Sequence, residues 1–171
     1  MYTIVYGGIE HGYMDNCAIT SDNCCVTISA YSASDPRGGV LTINDSEFNF
    51  VKGSLTRNDY APSASAVAAQ YGSDIIINNS TVSATDGGAL YVWPSGGTIT
   101  ANNCSLICSE DVAYSWIGNG ANTKANSVIN INNSSITGSS SYKVKTGSNS
   151  GHHHSAAIYV NGELMASITE E

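Results

Sequence analysis

The sequence predicts an all-β fold, a right-handed β-solenoid with Asn-rich corners. Three observations carry this prediction. One strand-and-corner motif recurs along the chain, a second strand follows its copies, and the composition suits short strands and tight turns.

The motif comes first, because a fixed period decides the whole architecture. Four segments align: LTINDSEFNF (41–50), IIINNSTVSA (75–84), ITANNCSLIC (99–108) and ININNSSITG (129–138). A degenerate fifth, GYMDNCAITS (12–21), precedes them. With Asp15, Asn44, Asn78, Asn102 and Asn132 taken as equivalent, the steps are 29, 34, 24 and 30 residues. Such steps are the length of one solenoid coil with variable loops. Alternation within each segment reads as a strand. Leu41 and Ile43, Ile75 and Ile77, Ile99 and Ala101, and Ile129 and Ile131 face inward. Thr42, Ile76, Thr100 and Asn130 face outward. The paired Asn/Asp then makes a corner, since these side chains bond nearby backbone and tolerate left-handed conformations. Phe48, Val82, Leu106 and Ile136 return to the interior. Stacked coils place the first Asn of each pair in a ladder, each amide bonding the next at the spacing of neighbouring strands. The corner also accounts for the N-x-S/T triplets, such as Asn79-Ser80-Thr81, without glycosylation.

The second strand reads AVAAQ (66–70), ALYVW (89–93), AYSWI (113–117) and AIYVN (157–161). The first three alanines are 23 and 24 residues apart, and the last step is 44. That long step predicts a loop insertion near 139–156. The predicted inward set is Val67, Ala69, Leu90, Val92, Tyr114, Trp116, Ile158 and Val160. Tyr91, Trp93 and Tyr159 then point outward. ELMASITE (163–170) reads as the start of an incomplete coil, or as an edge.

Residues 1–171 therefore form one domain of about five coils, or a segment of a longer solenoid. Abundant Ser and Asn with only 12% charged residues favour turns and strands over helices. The formal charge of −8, from 14 acids against 6 bases, is unsuited to a phosphate backbone and argues against nucleic-acid binding. No apolar run reaches the roughly 18–20 residues of a membrane span. The first residues, MYTIVYGGIE, do not read as a signal peptide. The cysteines are Cys17, Cys24, Cys25, Cys104 and Cys108, with no CxxC pair. Cys104 and Cys108 sit where other repeats carry Ser80, Ser134 or Phe50, so they read as small core or turn residues.

Asn-cornered coils of this length resemble the right-handed parallel β-helix of the pectin-lyase-like superfamily, over roughly residues 12 to 168. The resemblance implies the architecture and leaves the activity open, because that fold hosts lyases, hydrolases, tail spikes, adhesins and carbohydrate-binding modules. Lyases of this kind use a calcium-binding acidic cluster with a basic proton acceptor, usually Arg. Here Arg37 and Arg57 are the only arginines, and neither lies in such a motif. The aspartate pattern of polygalacturonases is absent too. Lys143 and Lys145 are a thin basis for meeting an acidic substrate.

Two sites remain as expectations. Alignment of the second strands puts Asp86, Glu110 and His154 at one equivalent position, with Asp111 beside them. Stacked carboxylates roughly 5 Å apart match retaining glycosidases. With the imidazole they also match a divalent metal ion, the one candidate cofactor. His152, His153 and His154 form a run in the expected insertion, read as a loop or as metal ligands. The alternative site is the outward aromatic set Tyr91, Trp93 and Tyr159, flat rings that stack on sugars. The expected function is an extracellular or cell-surface carbohydrate-binding or adhesin-like module without catalysis, its partner a polysaccharide or surface glycan. A polysaccharide-active enzyme and a structural stalk, self-associating through solenoid ends, are the alternatives.

Overall fold

The structure is a computed structural model that describes residues 3–6, 11–22, 24–29, 38–51, 65–85, 87–93, 95–118, 125–147 and 154–169. These residues form an all-β architecture of three sheets stacked in a repeating pattern, consistent with a β-solenoid. The first sheet has six parallel strands: β1 (Thr3–Tyr6), β4 (Val26–Ser29), β7 (Ser65–Gln70), β10 (Gly88–Val92), β13 (Asp111–Ile117) and β16 (Ser141–Thr146). The second runs β2 (His11–Asp15), β5 (Val40–Asn44), β8 (Ser73–Asn78), β11 (Gly97–Asn102), β14 (Ser127–Asn132), β17 (Ser155–Val160) and β18 (Glu163–Thr169). The third holds β3 (Ala18–Ser21), β6 (Glu47–Phe50), β9 (Thr81–Ala84), β12 (Ser105–Cys108) and β15 (Ser135–Gly138). From β1 to β17 the chain visits the three sheets in the same rotation, one strand each per coil. No helix among the described residues is long and apolar enough to cross a membrane.

The corner between the second and third sheets is built as the sequence implies. Asp15, Asn44, Asn78, Asn102 and Asn132 are in register. Each Nδ2 donates to the Oδ1 of the coil before it: Asn44 to Asp15 at 2.6 Å, Asn78 to Asn44 and Asn102 to Asn78 at 2.9 Å, Asn132 to Asn102 at 3.0 Å. The second residue of each pair turns the chain. Asn16, Asp45, Asn79, Asn103 and Asn133 have φ between 49° and 52°, the left-handed conformation that Asn and Asp tolerate best. The third residue closes the corner. The hydroxyls of Ser46, Ser80 and Ser134 donate to the Asn carbonyls two residues before. They also accept from the backbone N–H of Cys17, Ser46 and Cys104 respectively. Cys104 occupies this Ser position, its thiol donating to the Asn102 carbonyl at 3.2 Å.

Inside, Leu41, Ile43, Ile75, Ile77, Ile99, Ala101, Ile129 and Ile131 are fully buried, as are Phe48, Val82 and Leu106. Stacking closes the core along the axis, so the first coil described is wetter: Met14 and Ile19 are only half-buried.

The second-strand register departs from expectation. Ala113 pairs with Leu90 and not with Ala89, so Tyr114 lies beside Tyr91. A slip of one residue exchanges the faces of a strand. Tyr114 and Trp116, expected inside, therefore lie on the outer face, and Ala113 and Ser115 are inside. The expected loop at 139–156 is also corrected: Ser141–Thr146 is strand β16, pairing with β13. Its Tyr142 and Val144 pack against the core, while Lys143 and Lys145, alternating with them, face out. Because β16 takes that place, AIYVN belongs to the second sheet, with Ile158 beside Ile129.

β18 is not a new coil but an edge, the last strand of the seven-stranded sheet. It runs antiparallel to β17, with Val160 paired to Glu163. The two-residue loop is Asn161-Gly162, with φ of 51° and 81°, the pair of positive values that a type I′ hairpin turn requires. Leu164, Met165 and Ile168 on β18 are exposed.

Asp74, on the outward face of β8, provides a test of this packing. Burial raises its pKa above 3.8, only partly offset by hydrogen bonds from the hydroxyl and backbone of Thr98. A raised carboxyl favours folding at low pH, and that contribution is lost as the pH climbs from about 3.8 through the folded value. Asp74→Asn is expected to raise Tm at pH 7, with the gap closing below pH 4. An unchanged or lower Tm at pH 7 would contradict this.

Candidate functional site: the outer aromatic face and the polar corner

The outer face of the six-stranded sheet carries two side-chain columns set by register. One runs Thr27, Ala68, Tyr91, Tyr114 and Lys143, and the next includes Trp116 and Lys145. Tyr91 and Tyr114 have ring centroids 5.1 Å apart, and Tyr91 meets Trp93 edge-on at 5.9 Å. Trp93 and Trp116 lie 6.4 Å apart, as do Tyr114 and Trp116, whose planes differ by only 9°. The Lys143 ammonium sits 4.7 Å from the Tyr114 centroid and that of Lys145 4.5 Å from Trp116, both within cation–π range. The sequence reading missed Tyr114, Trp116, Lys143 and Lys145 as parts of one face. The signal was the shared i, i+2 spacing of Tyr-x-Trp and Lys-x-Lys.

This cluster is not an open platform. Tyr91, Tyr114 and Trp116 are 3–4% exposed, and only Trp93 is half-buried. The expectation of an exposed Tyr91 is therefore corrected. Tyr159 is elsewhere, half-buried on the outer face of the seven-stranded sheet and in register with Asn130.

The acidic ladder does not assemble as drawn. Glu110 immediately precedes β13 and Asp111 opens it, accepting a hydrogen bond from the Ser141 hydroxyl at 2.8 Å. His154 precedes β17 in the other sheet, because the register that placed it beside Glu110 came from AIYVN. Asp86 lies outside the described residues, as do His152, His153, Arg37 and Arg57. Among the described residues, no three His, Cys, Asp or Glu side chains are grouped to hold a metal ion.

The polar corner is open. A groove of about 470 Å³ lies along it over three coils, lined by the corner residues Asn16, Asp45 and Asn79 and by Ala18, Glu47 and Thr81 at the start of the third-sheet strands. That volume is in the range of small-molecule sites. Asn103 and Ser105, then Asn133 and Ser135, continue both columns along the axis. Asn79, Asn103 and Asn133 are exposed, and among the described residues their side-chain amides bond no protein group.

The cysteines are all free thiols. Burial raises the pKa of Cys24, Cys104 and Cys108, and pushes Cys25 up to about 11. These four are protonated and covered at neutral pH, which makes them inert. A thiol-reactive dye at pH 8 is expected to label at most Cys17 in the folded protein, and all five in urea. Rapid labelling of a second thiol without denaturant would contradict the packing around them.

Comparison with known proteins leaves the geometry to speak for itself: no family model, no curated protein and no solved structure matches this chain.

Proposed function

We propose that this chain is a right-handed parallel β-helix, of the pectin-lyase-like kind, acting outside the cell as a non-catalytic glycan-binding or adhesin-like module. The observation that supports this most is the polar corner. On three successive coils it lines up an exposed amide (Asn79, Asn103, Asn133) with a hydroxyl (Thr81, Ser105, Ser135), and among the described residues those amides bond no protein group. Asn amides and Ser/Thr hydroxyls both donate and accept, which suits sugar hydroxyls. A rigid stack holds them at fixed spacing, so little ordering entropy is spent on binding. Trp93 offers a further ring to a sugar at the edge of the aromatic cluster.

The test is to mix the protein with a panel of plant, microbial and host glycans, measuring retention and, by mass spectrometry, product release. Retention on at least one glycan with no new oligosaccharide is expected. New oligosaccharides that vanish with Glu110→Gln would replace this reading with an enzyme.

A second reading, a structural segment that self-associates through its ends, is favoured by the half-buried Met14 and Ile19 and the exposed Leu164, Met165 and Ile168. Apolar strand edges of this kind pair with other chains. Sedimentation that depends on concentration, and is abolished by Leu164→Lys with Ile168→Lys, would support it. A monomer at every concentration would remove it.

A further inference from the structure

From the corner groove we infer a substrate class: an uncharged polysaccharide bound in extended form along the solenoid axis. This rests on the glycan-binding reading above. Three features of the groove carry it.

The first is straightness. The third sheet keeps constant register from β3 through β15, so Ala18, Glu47, Thr81, Ser105 and Ser135 form one line. The left-handed corner residues form a second line beside it. Groups on successive coils are separated by one strand spacing, about 4.8 Å. A sugar ring is of similar length, so an extended glycan can repeat the same contacts over the coils of Asn79, Asn103 and Asn133, where an amide is paired each time with a hydroxyl of Thr81, Ser105 or Ser135. An extended peptide, rising about 3.3 Å per residue, falls out of step.

The second is charge. Asp45 and Glu47 belong to the same coil, are both exposed, and both line the groove. Two carboxylates facing one ligand accept hydrogen bonds from hydroxyls and repel uronate, sulfate or phosphate groups. The net charge of −8 acts in the same direction at longer range. The cations Lys143 and Lys145 are on a different sheet, against the aromatic rings.

The third is the division of labour within each Asn pair. The first Asn is used up in the ladder, Nδ2 to Oδ1. The second has its backbone fixed by a bond to the next coil, as from Asn79 N–H to the Asn102 carbonyl at 3.0 Å, while its amide stays available. The corner thus presents an unspent amide on a fixed backbone.

The experiment is calorimetric titration of the intact chain with cello-, chito- and manno-oligosaccharides of two to six sugars, and with oligogalacturonides as the anionic probe. Asn79→Gly with Asn103→Gly and Asn133→Gly removes the amides while keeping a residue at ease with positive φ, so the fold is retained; circular dichroism checks this. Binding of a neutral oligosaccharide that strengthens with length, and weakens at least tenfold in the Gly variant but less than twofold in Lys143→Ala with Lys145→Ala, is the expected result. Neutral binding that is indifferent to the Gly substitutions would overturn the assignment to the groove. Preferential binding of oligogalacturonide, lost in the Lys variant, would overturn the groove and its substrate class while leaving glycan binding intact. No binding of any glycan in this set, nor in the wider panel, would overturn both.

Discussion

Phe48→Ala is expected to cost about 3–5 kcal/mol of stability, the range for deleting a fully buried aromatic side chain. Phe48 is 0% exposed and is among the largest fully buried side chains. It sits in the column Ile19, Phe48, Val82, Leu106, Ile136, one residue per coil of the third sheet. Neighbours above and below are held by parallel ladders in all three sheets, so the cavity cannot close by a local shift. The same column offers an internal control. Ile19 is half-buried in the first coil described, and Ile19→Ala is expected to cost roughly 1–2 kcal/mol, since less apolar surface leaves water there. Urea titration monitored by circular dichroism checks both. A solenoid can lose a terminal coil before the rest, so the slope is read together with the midpoint. Equal losses at the two positions would contradict an interior that dries along the axis.

Asn102→Asp is expected to cost about 2–4 kcal/mol at pH 7, the loss of a hydrogen bond plus a charge left facing an acceptor. Asn102 donates to Asn78 and accepts from Asn132. The substitution keeps the acceptor and replaces the donor by a carboxylate oxygen aimed at the Asn78 carbonyl oxygen. Asp15 is tolerated in the same column because in the coils described it only accepts, from Asn44. The sign of the pH dependence follows. The introduced carboxylate has a folded pKa raised above its unfolded value of about 3.9, so the penalty is present at neutral pH. It fades as the pH falls through the folded value, where the protonated group regains an O–H to donate. Denaturant midpoints of variant and parent at pH 7 and pH 4 check this. Equal stability at pH 7, or a penalty that does not shrink at pH 4, would show that the ladder's direction contributes little.

The motif that repeats an identical chemistry was legible in the sequence. Paired Asn/Asp followed by Ser or Cys has few other uses than a tight corner, and the five segments align in the structure in the register their Asn residues define. Cys104 as a stand-in for Ser was legible for the same reason. The edge after residue 162 was among the readings the sequence offered; the Asn161-Gly162 hairpin that makes it antiparallel was legible in principle, since two positive φ values call for that dipeptide, and was passed over. The candidate site was much less so. The groove is made by the exposed partners of asparagines whose corner role already accounted for them.

What the sequence by itself determined is the coil: strand, left-handed corner, strand, with its inward Ile and Leu. These depend on period, turn chemistry and burial, which are local properties of a few residues each. What only the tertiary structure decided is how the second strands stack. AYSWI could be aligned with ALYVW by its first Ala, yet the coils pair it one residue further on. SYKVKT, read as loop because of the 44-residue step between the second-strand alanines, is a strand whose Lys143 and Lys145 rest on the Tyr114 and Trp116 rings of the neighbouring coil. In a parallel stack the choice of register is made by contacts with the coils on either side, and a slip of one residue leaves the local alternation intact while exchanging inside for outside. Those neighbours are 20 to 40 residues away in sequence, so the faces of these strands, and with them the site, were fixed only when the coils came together.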